Sequence, residues 1–190
     1  LRDQILVLAE KNGFVEPHYK TILDYTINNL QSNGLGEEYY GYHNIDHLLE
    51  VPFCALLVGG SNKIPNMSQD DLKHLFVSAI FHDFEPDKST DKPNEENVLR
   101  NLQIDSILKE LMLDTGVDFE IIKVLIHRTT YPWTGQLKQD AEIAIKECFL
   151  PSFKNILTYF GYFIFLAFYT LKFFSVKSSK IFKLISYNAI

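Results

Sequence analysis

Apolar positions recur at intervals of three and four through the first two thirds of the chain, interrupted by short polar joints. Leu1, Ile5, Leu8 and Ala9 form one such stretch, closed by Asn12-Gly13, which predicts a helix over 1–11. Ile22, Leu23, Ile27 and Leu30 predict a second over 18–31, opened by Pro17 and ended by Ser32-Asn33-Gly34. A third, 44–58, stops at Gly59-Gly60 and carries Pro52 inside it, which predicts a kink or an early break. A fourth, 68–84, starts at Ser68, a good N-cap. Three more are expected over 95–112, 118–128 and 138–149, with a polar loop over 85–94. No run alternates apolar and polar residues as a half-buried strand does, so the fold class is all-α. There is no internal repeat.

The pattern changes after Glu147. Residues 156–176 are nearly continuous Ile, Leu, Phe, Tyr and Ala, interrupted by Thr158, Gly161, Thr170, Lys172 and Ser175. About 20 apolar residues are needed to cross a bilayer. Three readings of 148–190 stand side by side: a membrane anchor through 156–176, helices packed on the body, or a carboxyl end not native to the body. The domain division is therefore 1–147 for the body and 148–190 for a hydrophobic, basic, helical tail.

Charge follows the same boundary. The 190 residues carry 24 acidic and 18 basic side chains, a net −6. The tail has five lysines and no acid, so the body carries −11 and the tail +5. Nucleic-acid binding needs a basic footprint, which this body lacks; divalent cations suit it. Cys54 and Cys148 both lie in apolar surroundings and read as buried free thiols in a reducing compartment, which points to a cytoplasmic protein, with membrane association the alternative if the tail is an anchor. The chain opens Leu1-Arg2-Asp3 without an initiator Met, so a cropped start is expected and a removed signal peptide stays open.

The chemistry is concentrated in two short segments. His43-Asn44-Ile45-Asp46-His47 puts two imidazoles four residues apart, one helical turn from each other on one face. Ala79-Ile80-Phe81-His82-Asp83 puts an imidazole beside a carboxylate at the end of an apolar run, where the carboxylate is costly unless paired or metal-bound. Imidazole plus carboxylate suits Mn, Fe, Zn, Ni or Co, with Mg in a second site. Asp46 is placed to orient an imidazole from behind. Arg128, at the end of the 118–128 helix, is a candidate for a substrate phosphate, against the plainer role of a cation answering a helix C-terminus. His18 and His74 read as structural. There is no phosphate-binding P-loop, no Cys-x-x-Cys pair and no Gly-x-Ser-x-Gly elbow.

Tyr42-His43-Asn44-x-x-His47 followed by Ala79-x-x-His82-Asp83 resembles the HD superfamily of metal-dependent phosphohydrolases, over roughly residues 15–147. The Tyr-His-Asn-x-x-His spelling is similar to that of cyclic-nucleotide phosphodiesterases. Asn94-Glu95, beyond the His-Asp pair, is closer to a bacterial-type group of HD phosphohydrolases. The resemblance implies a helical HD-domain bundle in which His47, His82 and Asp83 are metal ligands. It makes His43 the general acid and Glu95 a water-orienting carboxylate. The fourth ligand it requires is best matched by Asp140 in Gln139-Asp140-Ala141-Glu142-Ile143-Ala144, where Glu142 departs from the second Asp usual in that motif.

The function expected is hydrolysis of a phosphoester in a nucleotide or other small phosphorylated substrate, by metal-activated water. A cyclic-nucleotide phosphodiesterase is one alternative; a degenerate HD domain serving as nucleotide sensor or scaffold is another. The substrate, the metal and the oligomeric state are left open by the sequence.

Overall fold

The computed structural model describes residues 1–15, 17–33, 44–60, 67–84, 94–129 and 139. Of these, 82% are helical and none is in a strand, as the periodicity predicts. The helices are α1 (Arg2–Lys11), α2 (Pro17–Asn33), α3 (Ile45–Gly59), α4 (Gln69–Phe81), α5 (Asn94–Ile104), α6 (Ser106–Thr115) and α7 (Phe119–His127). The expected helix over 138–149, the polar loop as far as residue 93 and the tail with its 156–176 stretch lie outside the described residues, Gln139 excepted. Among the described residues, no helix is long and apolar enough to cross a membrane.

α4 organises the core. Ten of its 13 residues are buried, on every side of the helix, the pattern of a helix enclosed by others. α3 and α7 pack on it most extensively, α2 joins them, and α1 lies against α3. Phe76 and Phe81 are fully buried within it, each contributing about 1.5–3 kcal/mol by leaving water. Phe14 stacks on Phe76 with ring centroids 5.8 Å apart and closes the amino-terminal end. The start of α4 is set by Ser68, as expected. Its hydroxyl accepts from the Asp71 N–H while the Asp71 carboxylate accepts from the Ser68 N–H, a reciprocal capping box.

Two expectations are corrected. Of the kink or early break expected at Pro52, the break does not occur: α3 runs to Gly59; proline removes the N–H that would reach Leu48, but packing on α1 and α4 holds the helix together. The single helix expected over 95–112 is two. Asp105 adopts an extended conformation, and its Oδ1 accepts from the Ile107 and Leu108 N–H groups at 2.9 and 3.0 Å, which starts α6 afresh. Tyr25 of α2 donates its hydroxyl to the other oxygen, Oδ2, at 2.6 Å. α6 then ends on Gly116 at φ 65°, a left-handed cap.

His18 and His74 are structural, as the sequence suggests. His18 meets Asp114 of α6 at 3.3 Å. The His74 Nδ1–H donates to the Asp70 carbonyl at 2.7 Å, and its Nε2 accepts from the Asp118 N–H at 2.9 Å. That neutral ring joins α4 to the cap of α7.

Candidate metal centre

α3 begins just before its candidate ligand, His47. The Asn44 side chain accepts from the His47 N–H at 3.0 Å, and the Asn44 carbonyl accepts from Leu48 at 3.0 Å. This places His47 in the first helical turn, 2% exposed. His82 caps the far end of α4 with helical φ and ψ and is 3% exposed; Asp83 follows in a turn. α3 leaves the site and α4 returns to it, so residues 35 apart in sequence meet.

Their donor atoms converge. His47 Nε2 and His82 Nε2 are 3.1 Å apart, and Asp83 Oδ2 lies 3.3 Å from the first and 3.2 Å from the second. The His82 Nδ1 is 2.7 Å from the Ala79 carbonyl. A carbonyl can only accept, so Nδ1 carries a proton, and the bond turns Nε2 toward His47 and Asp83. Burial lowers the His82 pKa, but Asp83 beside it and Glu95 further off more than reverse this, and the net shift is upward.

Electron-rich atoms this close repel unless a cation lies among them. A shared proton relieves one such pair, and a single metal ion among the three atoms would relieve all of them. For bonds of about 2.1 Å, edges of this length give angles near ~100° between donors, within the range of tetrahedral and octahedral coordination. His47, His82 and Asp83 therefore form a group able to hold a metal ion.

No protein-family model, curated protein or solved structure matches the chain.

The other candidates fall into three sets. His43 and Asp140 lie outside the described residues. Glu95, in the first turn of α5, is close enough to act on His82, but its carboxylate is not among the converging atoms. Its Oε1 lies 3.4 Å from the Thr129 hydroxyl, which brings the end of α7 to the start of α5. Arg128, the residue before Thr129, is half-buried, and burial lowers its pKa. Asp46 is exposed and acts on Glu50. Burial, with a smaller push from Asp46, raises the Glu50 carboxyl pKa.

Cys54 is a free thiol, half-buried, pushed up to about 11 by burial and by Glu50; Cys148 lies outside the described residues. The sequence gives no sign of the Thr129 contact with Glu95 or of the packing of Tyr25 against Phe84 behind the site. Both join residues more than 30 positions apart, which no local pattern encodes.

Proposed function

We propose that the chain is a metal-dependent phosphohydrolase acting on a nucleotide or another small phosphoester. The observation that carries this reading is the convergence of His47 Nε2, His82 Nε2 and Asp83 Oδ2 to within 3.3 Å. Mixed imidazole and carboxylate donors suit Mn, Fe, Co, Ni or Zn, and Asp140 is the proposed fourth ligand. When bound, such a metal supplies polarisation of a phosphoryl oxygen and a lowered pKa for water.

The chain's own residues supply the rest. His43 would protonate the leaving oxygen. Glu95 would orient the attacking water from the start of α5. Arg128 would meet phosphate oxygens through its forked guanidinium; the residue after it, Thr129, contacts Glu95 at the start of α5.

The test is metal content after loading with Co²⁺, together with turnover of an aryl phosphodiester. Wild-type protein should retain metal, and both His82→Ala and Asp83→Ala should lose it. Equal content in all three would remove the metal site. His43→Ala should keep metal and lose at least about 100-fold in turnover; loss of metal instead would make His43 a ligand.

A further inference from the structure

Asp83 is the ligand placed outside regular structure. His82 closes α4 and its ring is tethered to Ala79, whereas Asp83 lies in the turn that follows. The next residue fixes that turn. The Phe84 N–H donates to the Phe81 carbonyl at 2.9 Å, and the Phe84 ring is buried. It meets Phe81 edge-on with centroids 6.1 Å apart, and meets Tyr25 of α2 at 6.1 Å, tilted by 30°. Tyr25 is held in turn by its hydroxyl bond to Asp105, the residue that separates α5 from α6.

We propose that Phe84 is a positioning residue for the metal centre. Wedged between Phe81 and Tyr25, it sets where the Asp83 carboxylate meets the two imidazoles. The inference rests on the metal reading above. Its physical basis is that one neighbour of Asp83, His82, has its ring fixed by a hydrogen bond, and the other, Phe84, is held by a single backbone hydrogen bond together with the packing of its ring on Phe81 and Tyr25. If that packing loosens, the turn can rotate and carry Oδ2 away from the two nitrogens. A leucine at 84 keeps the site apolar but lacks the flat faces that meet the two rings. Groups that support a ligand from behind typically change metal affinity by about 10–100-fold when replaced.

The experiment is titration of the purified chain with Co²⁺, followed by its visible absorption, with a thermal melt of each metal-free variant. Phe84→Leu is expected to bind Co²⁺ about 10-fold more weakly with an altered band shape. Tyr25→Phe keeps the ring and should stay within about twofold of wild type. Phe14→Leu breaks the stack on Phe76, roughly 9 Å back along α4; it should lower the melting temperature and leave Co²⁺ affinity unchanged. Should Phe84→Leu fail to fold, Phe84→Met carries the same expectation. Wild-type affinity and spectrum in the Phe84 variant overturn the proposal, as does equal weakening in Phe14→Leu. Absence of Co²⁺ binding by the wild-type chain is a different result; it overturns the metal reading and this inference with it.

Discussion

Asp24 shows how much one side chain can carry on the surface of α2. The Arg2 Nε and Nη2 donate to its two oxygens at 2.6 and 2.8 Å, and the Lys20 Nζ adds a third bond at 2.9 Å. The Arg2 bonds hold its carboxyl below the usual carboxylate range, against a smaller upward push from burial. A carboxyl whose pKa is lower folded than unfolded contributes stability above its unfolded pKa, and loses it as pH falls through the folded value. Asp24→Asn should therefore cost about 1 kcal/mol or less at neutral pH, and the gap to wild type should close below about pH 4. Urea melts of both proteins between pH 7 and pH 2.5 check this; a gap that persists at the acid end contradicts it. At the same scale, the candidate ligands were legible because their spacing is local. His47, His82 and Asp83 are named by their neighbours in sequence, and the structure brings the three together. What surrounds them was not legible: Tyr25 reaches Phe84 from 59 positions away, and Thr129 reaches Glu95 from 34.

The helices were read well where a side chain at the boundary closes its own cap. Ser68 with Asp71 is such a case; Pro17 marks the first position of α2 differently, by its fixed φ and the absence of an N–H to satisfy. The break at Asp105 escaped because apolar positions at helical spacing lie on both sides of it, Val98 and Leu102 before and Leu108 and Met112 after, with no Gly or Pro between them. The deciding partner, the Tyr25 hydroxyl, is 80 residues away. Asp105→Ala removes acceptors from two backbone N–H groups and from a phenol at once. It should lower stability by about 2 kcal/mol, read as a fall in the urea midpoint at unchanged slope. A loss under a few tenths of a kcal/mol would mean that the pattern, and not the cap, governs α5 and α6.

For the whole molecule, the triad ties the first turn of α3 to the far end of α4. A ligand that binds only the folded state stabilises it by about 2.7 kcal/mol at one hundred times its Kd. For a body of this size, that is an upward shift in Tm of roughly 10 °C. Calorimetry with Co²⁺ and then with excess EDTA should show the shift appear and reverse; an unchanged Tm in saturating Co²⁺ would rule out a folded-state site. The antiparallel course of the two helices has a further consequence for handling the protein. α3 and α4 carry the chain away from the triad and back, so Gly60 and Met67 lie at the opposite end of the pair, about 20 Å from the three ligands. A dye attached at Gly60 or at Met67 would be separated from the candidate metal centre by the length of a helix, which makes these two positions the place to label the molecule without disturbing that centre.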